Sequence, residues 1–309
     1  MAHIYVFSPS SSVRDKAAFR RGVARLKALG HEVEVDAAAL SAYQRFAGDD
    51  ESRLAAITRA SASGADIAII SRGGYGLTRL LPQLPYKAMA KAVAQGTQFV
   101  GFSDFSAFQA SLYARHSAPT WSGPDVVADW GREEVDDIMQ DTFQDLALGQ
   151  NEGAGWRLPV RDTRAVTHRP DGFWAKKATL WGGNLSVLTS LIGTPYFPEI
   201  RGGILYLEDL AEHPYRIERM LTQWLHAGIL AHQKAIVLGG FTHYSLFKHD
   251  AGFQFNTVVD RLRQQIKVPV LTGLPFGHVP TKLCLPVGQE VSLLREGREA
   301  FFLWAHQAH

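Results

Sequence analysis

The chain has 309 residues, of which 46% are hydrophobic and 20% are charged, and its formal net charge at pH 7 is +2. This balance indicates neither a disordered chain nor a strongly electrostatic nucleic-acid binder. Cys284 is the only cysteine, which excludes an internal disulfide and a multi-cysteine metal site and fits a buried residue in a reducing compartment. The length predicts two domains or one large α/β domain.

The N-terminal sequence enters a strand pattern directly at residues 3–7, without a basic segment that leads into a long apolar run. No stretch of about 18 apolar residues occurs elsewhere in the sequence, so no membrane span is expected. We therefore expect a cytoplasmic protein that has no membrane partner.

In chain order, the first half alternates strand and helix patterns, which is typical of a parallel sheet. The predicted strands lie at 3–7, 32–35, 66–71 and 98–101. One predicted helix begins near Val13, and the others span 51–61, 77–81, 104–116 and 129–148. The second half has predicted strands at 203–207, 234–238, 268–272, 289–293 and 300–304, and its strongest helix pattern at 215–227. Residues 149–155 have the clearest linker composition. We predict domains at 1–148 and 171–309, joined by a linker at 149–170.

A glycine-rich loop, Arg72-Gly-Gly-Tyr-Gly76, follows the predicted strand at 66–71. In a parallel sheet such a loop lies at the carboxyl edge, where ligands bind. It matches neither the phosphate-binding loop that ends in Gly-Lys-Ser/Thr nor the dinucleotide fingerprint, but it offers unobstructed backbone N–H groups. The alternative is a tight turn in which glycine is needed for positive φ.

The next predicted strand runs into Gly101-Phe-Ser-Asp104, and a helix pattern follows. A sharp strand-to-helix turn exposes one side chain, so Ser103 is a candidate nucleophile and the Asp104 N–H a candidate oxyanion donor. The motif lacks the second glycine of G-x-S-x-G, because Phe105 stands in its place. The alternative is a helix start with Ser103 or Asp104 as N-cap.

A nucleophilic serine needs a base and a carboxylate that orients the base. Glu208 ends a predicted buried strand, with Asp209 and Glu212 close behind it, and His278 lies between glycine and prolines after another strand. The order serine, acid, histidine is that of α/β-hydrolases, although their HGGG-type motif is absent. The alternatives are a helix-capping acid and a surface histidine.

Six stretches in this order resemble the serine LD-carboxypeptidases of murein recycling, which are related to microcin C immunity peptidases. The six stretches are Phe46-Ala-Gly-Asp-Asp-Glu51, Arg72-Gly-Gly-Tyr-Gly76, Gly101-Phe-Ser-Asp104, Trp181-Gly-Gly-Asn-Leu185, Leu207-Glu-Asp209 with Pro214-Tyr-Arg216, and Gly277-His278. The resemblance implies an α/β fold, with a flavodoxin-like N-terminal parallel-sheet domain and a smaller β-rich C-terminal domain. It also implies a homodimer that needs no metal or other cofactor.

For the site, the resemblance implies Ser103 as nucleophile, His278 as general base and Glu208 as the orienting carboxylate. It places the oxyanion hole at the backbone amides of Gly74 and Asp104. The implied substrate is a cytoplasmic murein tetrapeptide, from which the terminal D-Ala is released.

Substrate binding is assigned to Arg72, Tyr75 and Trp181. Arg72 is a candidate for binding the substrate carboxylate or, alternatively, a brace for the glycine loop. Trp181 is a candidate for the cleft or the dimer contact, or belongs to a structural turn before a helix at Leu185. Two other functions stay open. One is an immunity-type peptidase that acts on a peptidyl-nucleotide, with Trp174, Trp181 or Tyr244 stacking on the base. The other is a small-ligand-binding module without enzymatic activity.

Overall fold

A computed structural model describes residues 1–165 and 169–304 of the chain. Residues 166–168 of the predicted linker, and 305–309 at the end of the second predicted domain, lie outside the described residues. The strands are β1 (His3–Phe7), β2 (Glu32–Val35), β3 (Ile67–Ile70), β4 (Gln98–Gly101), β5 (Thr120–Ser122), β6 (Gly153–Arg157), β7 (Gly172–Asn184), β8 (Ile204–Leu210), β9 (Ala235–Thr242), β10 (Val270–Thr272), β11 (Leu285–Val287), β12 (Glu290–Glu296) and β13 (Glu299–Leu303). The α-helices are α1 (Lys16–Ala28), α2 (Asp50–Ala62), α3 (Tyr86–Ala94), α4 (Ser106–His116), α5 (Asp137–Ala147), α6 (Val160–Ala165), α7 (Leu185–Thr189), α8 (Pro214–His226) and α9 (Phe255–Gln265).

The first sheet has the strand order β11-β5-β4-β3-β1-β2. Its five N-terminal strands are parallel and follow the flavodoxin order 2-1-3-4-5, so the predicted fold class is confirmed for this half. Strands β3 and β4 are apolar and almost fully buried, as expected of strands covered by helices on both faces. Their carboxyl ends therefore meet at one edge of the sheet, directly before the glycine-rich loop and Ser103.

The second sheet has the order β10-β9-β8-β7-β12-β13-β6. Strands β7 to β10 are parallel, and β12, β13 and β6 extend the sheet in antiparallel fashion, so the β-rich α/β half is confirmed as well. The amphipathic helix α8 packs its buried residues Ile217, Leu221 and Trp224 into an apolar cluster that includes residues of both halves. The inner strand β8 carries Glu208 near its carboxyl end.

Two strands join a sheet in a way that the predicted domain bounds do not show. Strand β6 lies inside the range 149–170 and pairs with β13 of the second sheet. Strand β11 comes from the second half of the chain but pairs with β5 of the first sheet, antiparallel to it. The segment that follows His278 therefore returns to the N-terminal sheet, which brings residues of both halves together.

Two sequence expectations need correction in detail. The helix expected over 129–148 begins only at Asp137, because the Asp136 carboxylate accepts a hydrogen bond from the Met139 N–H and caps the helix there. Asp129 lies instead in the turn region before this helix, where its side chain is buried. The stretch that contains Gly182 and Gly183 forms the end of the long strand β7, which the sequence did not predict, and a helix does begin at Leu185. Within the described residues, no helix has the length and apolar character needed to cross a membrane.

Candidate active site

Ser103 occupies a strained turn at the carboxyl end of β4. It opens a short 3₁₀ turn, Ser103–Phe105, which leads into α4, and its φ angle is 64°. Positive φ is uncommon for a residue with a side chain and raises the backbone energy, so the surrounding structure must hold it. Gly101 contributes to that support, because a Cβ at this position would lie 2.8 Å from Ile70 and 2.9 Å from Phe105. The partly exposed hydroxyl therefore stands on a sharp strand-to-helix turn.

The structure brings Ser103, His278 and Glu208 into one chain of hydrogen bonds. The His278 Nε2 atom lies 3.2 Å from the Ser103 Oγ atom, and the His278 Nδ1 atom lies 2.8 Å from the Glu208 Oε2 atom. A carboxylate can only accept, so Nδ1 carries the proton and Nε2 is free to accept from the hydroxyl. This arrangement can activate a serine for attack on an acyl group.

Glu208 is fully buried inside β8, and a second side chain fixes its free oxygen. Asn184, at the end of β7, donates from Nδ2 to the Glu208 Oε1 atom over 3.1 Å. The Asn184 Oδ1 atom accepts from the Val187 N–H, which sets the orientation of this amide. The same Nδ2 group lies 2.9 Å from Asp209 Oδ1, and burial raises the pKa of Asp209. Glu208 thus presents its other oxygen to His278.

Gly277 lets the histidine loop approach Glu208. Its φ angle is 120°, and a Cβ there would lie 2.9 Å from the Glu208 Cβ atom and 3.0 Å from Oε2. Only glycine adopts this backbone conformation without strain and leaves room for the carboxylate. The glycine next to the histidine is therefore required by the close contact between the loop and β8.

The glycine-rich loop lies against the serine. A Cβ on Gly73 would lie 3.0 Å from the Ser103 Cβ atom and 3.2 Å from its Oγ atom, and Gly74 has φ 88°. The buried Asp104 carboxylate ties this loop to the serine turn, because its Oδ2 atom accepts from Leu77 N–H at 2.9 Å and from Ser10 Oγ at 2.8 Å. Burial raises the pKa of Asp104 to about 6. The loop backbone and the serine turn thus flank the same hydroxyl.

Arg72 and Tyr75 border this loop, whereas Trp181 lies elsewhere. Arg72 is partly exposed and donates to the Ser12 carbonyl at 3.3 Å, and Tyr75 is 47% exposed beside the Phe46 ring. Trp181 is only 2% exposed, and its indole stacks on Trp224 with 6.0 Å between ring centroids. Arg72 and Tyr75 therefore lie on the glycine-rich loop that packs against Ser103, whereas Trp181 lies in an apolar interior cluster.

Several side chains that support the site were not predicted from the sequence. Asn184 stands in a stretch that was singled out, yet nothing in the stretch showed that it contacts Glu208. Lys282 and Asp129 form a fully buried ion pair next to Phe102, with 2.6 Å between Nζ and Oδ2. These two residues are 153 positions apart in the chain, and no local pattern joins them. In the part of the chain that the structure describes, no group of three or more His, Cys, Asp or Glu side chains could hold a metal ion.

Comparison with known proteins assigns the chain to a family. Residues 4–123 match the LD-carboxypeptidase N-terminal domain model, and residues 177–293 match the LD-carboxypeptidase C-terminal domain model of peptidase S66. The crystal structure of a muramoyltetrapeptide carboxypeptidase from Oxalobacter formigenes superposes with a TM-score of 0.86 at 36% identity, covering 99% of this chain and all of the other.

Two curated relatives have different names. A murein tetrapeptide carboxypeptidase from Pseudomonas aeruginosa is 31% identical over 274 residues, which is 86% of this chain and 82% of the relative. The microcin C7 self-immunity protein MccF of Escherichia coli is 26% identical over 243 residues, which is 72% of this chain and 69% of the relative. The matches to both domain models and to full-length carboxypeptidases confirm the resemblance seen in the sequence. The chain therefore belongs to the LD-carboxypeptidase family, peptidase S66, and is a carboxypeptidase, a hydrolase.

Proposed function

We propose that this carboxypeptidase releases the terminal D-Ala from murein tetrapeptides, with Ser103, His278 and Glu208 as its catalytic triad. The observation that carries the proposal is the continuous chain of hydrogen bonds from the Ser103 hydroxyl through the imidazole to the buried carboxylate. The substrate class follows from the names of the relatives in Oxalobacter formigenes and Pseudomonas aeruginosa.

In the first step, the His278 Nε2 atom takes the proton of Ser103 as Oγ attacks the carbonyl carbon before the terminal D-Ala. Glu208 holds the Nδ1–H tautomer and stabilises the imidazolium that forms. We assign the stabilisation of the new oxyanion to the backbone N–H groups of Gly74, in the glycine-rich loop, and of Asp104, which follows the serine. Such preorganised donors stabilise charge that is present only in the transition state.

In the second step, the tetrahedral intermediate collapses and the bond to D-Ala breaks. The imidazolium of His278 donates its proton to the leaving amine, which leaves an ester between Ser103 and the diamino acid of the peptide. Water then attacks this ester, with His278 again as the base, and the serine hydroxyl is restored. The reaction consumes one water molecule and needs no metal.

A carboxypeptidase must also bind the free carboxylate of its substrate. Arg72 lies next to the glycine-rich loop and supplies a guanidinium, which suits this task. Tyr75 is exposed on the same loop and can contact the peptide.

The proposal extends to the location and the oligomeric state of the enzyme. A murein peptide that is recycled inside the cell would make this a cytoplasmic enzyme, and we propose that it is a homodimer. Light scattering on the purified protein tests the dimer directly.

The test is digestion of L-Ala–γ-D-Glu–diaminopimelate–D-Ala by the wild type and by Ser103→Ala, with a chelator present and mass spectrometry as the readout. We expect the wild type to release one D-Ala and Ser103→Ala to lose at least about 10⁴-fold in kcat. Reaction of the wild type with a serine-directed phosphonate at Ser103 would support the nucleophile independently. Equal turnover by both proteins would refute the triad.

A second candidate is an immunity-type peptidase that acts on a peptidyl-nucleotide, because the relative MccF is named a microcin C7 self-immunity protein. Three aromatic residues are candidates for stacking on a base. Trp181 is buried, and the face of the Trp174 ring is already covered by the Arg295 guanidinium, 5.4 Å from the ring centroid. Tyr244 is partly exposed and stays a candidate. Cleavage of an aminoacyl sulfamoyl adenosine, but not of the tetrapeptide, would favour this second function.

A further inference from the structure

A buried lysine lies where the two halves of the candidate site meet. Lys282 is 1% exposed and follows His278 by four positions, just before β11 joins the first sheet. The Leu283 N–H donates to the Pro275 carbonyl over 3.0 Å, which closes the loop that carries His278. Lys282 therefore stands at the base of this histidine loop.

The Lys282 ammonium contacts two groups of the first half. Its Nζ atom lies 2.6 Å from Oδ2 of Asp129, which is also 1% exposed. The same Nζ atom lies only 3.4 Å from the centroid of the Phe102 ring. A desolvated ammonium over an aromatic face is attracted by the negative potential of that face. The ammonium thus holds Asp129 and Phe102 at the same time.

Phe102 links this cation to the reacting groups. It directly precedes Ser103, and its ring lies 4.9 Å from the His278 ring between centroids. Asp129 is itself fixed, because its Oδ2 atom also accepts from the Asp125 N–H over 2.9 Å. The segment around Asp125 is bonded to the strand ends, since Gly123 N–H donates to the Gly101 carbonyl. The cation is therefore held by a rigid frame beneath the serine turn.

We propose that Lys282 is a positioning residue, whose ammonium, held by Asp129, fixes the Phe102 ring by a cation–π contact and so sets the distance between Ser103 and His278. This inference rests on the proposed triad. Ser103 and His278 come from different halves of the chain, so their separation depends on contacts that cross between the halves. Displacement of reacting groups by about 1 Å can lower a rate by about 10²-fold, and such a contact therefore affects kcat.

The test weakens the cation–π contact without removing the ring. Phe102 is replaced in separate proteins by 4-fluoro-, 3,5-difluoro- and 3,4,5-trifluorophenylalanine, which reduce the negative potential of the ring face in steps and change its volume little. The matched control is the same series at Phe108, a fully buried ring in α4 that contacts the rings of Phe99 and Phe105. Tetrapeptide turnover and thermal unfolding are measured for each protein.

We expect kcat to fall stepwise along the Phe102 series, by about fivefold for the trifluoro ring, with KM unchanged. The Phe108 series should leave kcat unchanged, since its ring faces other apolar rings. Equal kcat along the Phe102 series, or equal losses in both series, would overturn the inference.

The outcome separates this inference from the proposed function. If the wild type cleaves the peptide and reacts with a serine-directed phosphonate while the Phe102 series stays flat, only the role of Lys282 is refuted. If the wild type does neither, the triad is refuted and the positioning role falls with it. Lys282→Met leaves the buried Asp129 unpaired and risks unfolding. The fluorinated series avoids this risk, because every charged group stays in place.

Discussion

Ser103 and Glu208 both stand near the carboxyl ends of parallel strands, but different forces hold them. Ser103 is partly exposed in a turn with φ 64°, and close backbone packing around Gly101 and Gly73 fixes it. Glu208 is fully buried in regular strand, and the hydrogen bonds that it accepts from Asn184 and His278 fix it. The position of Ser103 therefore depends on backbone geometry, whereas the position of Glu208 depends on the donors and acceptors of its buried hydrogen bonds.

Substitutions near Ser103 and near Glu208 should therefore lower activity for different reasons. A change of charge or of hydrogen-bond direction should damage the Glu208 side severely without moving the backbone. A change of backbone conformation should instead alter distances, and its effect depends on what lies next to the altered residue. Variants chosen for each case separate the two mechanisms.

The largest effect is expected for Glu208→Gln. Asn184 donates to the Oε1 atom, so the oxygen of the new amide stays there and its NH₂ group faces His278 Nδ1. This reverses the tautomer, which puts the proton on Nε2 and prevents acceptance from Ser103. We expect kcat to fall by about 10³- to 10⁴-fold with nearly normal stability, measured by tetrapeptide turnover and thermal unfolding.

The matched control for this change is Glu212→Gln. Glu212 is the other nearby glutamate, and its carboxylate pairs with Arg216 at the surface. Because exposed ion pairs contribute little, this variant should keep its activity and stability. Full activity of Glu208→Gln together with a loss of activity in Glu212→Gln would show that Glu212, and not Glu208, is the orienting carboxylate.

A smaller effect is expected for Gly277→Ala, which tests backbone geometry next to the acid. The new Cβ would lie 2.9 Å from the Glu208 Cβ atom at a φ of 120°, so the histidine loop must shift. We expect a loss in kcat of about 10²-fold, because the distance from His278 to both partners changes. Steady-state kinetics and thermal unfolding measure the effect.

Gly172→Ala provides a control that separates strain from proximity. Gly172 has the same φ of 120°, but no atom lies within 4 Å of the added Cβ. Both variants bear the strain of a non-glycine residue at positive φ, so both should unfold at lower temperature than the wild type. Only Gly277→Ala should lose activity. Equal kinetic losses in the two variants would attribute the effect to general destabilisation.

The sequence predicted strands β1 to β4 of the parallel sheet because strand and helix patterns alternate along the first half, whereas β5 was not among the predicted strands. It also predicted that Ser103, Glu208 and His278 belong to one site. The role of each residue was inferred from the family resemblance and stays a prediction. Strand β7 was missed, because Gly182 and Gly183 are typical of a turn. In the structure, a Cβ on Gly182 would lie 1.8 Å from the Tyr206 carbonyl oxygen, so close strand packing explains this glycine.

Long-range side-chain contacts could not be predicted in this way. The contact of Asn184 with Glu208 depends on β7 lying beside β8, which places the two residues in register. The ion pair of Lys282 with Asp129 depends on β11 crossing to the first sheet. Trp181 was expected near the substrate because it adjoins a distinctive stretch, but strand alternation turns its side chain into the apolar interior. Residue type and local spacing carry no information on these contacts.

The smallest effect on kcat is expected for Asp104→Asn, which tests whether the Asp104 side chain or its backbone serves the serine turn. Burial raises the pKa of this carboxyl to about 6, so the folded protein binds its proton more tightly than the unfolded chain. This stabilising contribution is present at low pH and is lost as pH rises from about 4 to 6. Relative to Asp104→Asn, the wild type should lose up to about 3 kcal/mol of unfolding free energy over this range. Urea unfolding of both proteins at pH 4 and pH 7 measures this change in unfolding free energy.

Asp49 has a pKa shift of the opposite sign and serves as the control. It caps α2 by accepting from Ser52, and these hydrogen bonds lower its pKa. Its contribution is present above the ordinary carboxyl pKa and is lost only as pH falls through the lowered pKa, so the difference in unfolding free energy between the wild type and Asp49→Asn should change little between pH 7 and pH 4. The oxyanion donor proposed at residue 104 is a backbone N–H, which Asp104→Asn retains. That variant should therefore keep most of its kcat, and a loss as large as that of Glu208→Gln would show that the Asp104 carboxylate itself takes part in the reaction.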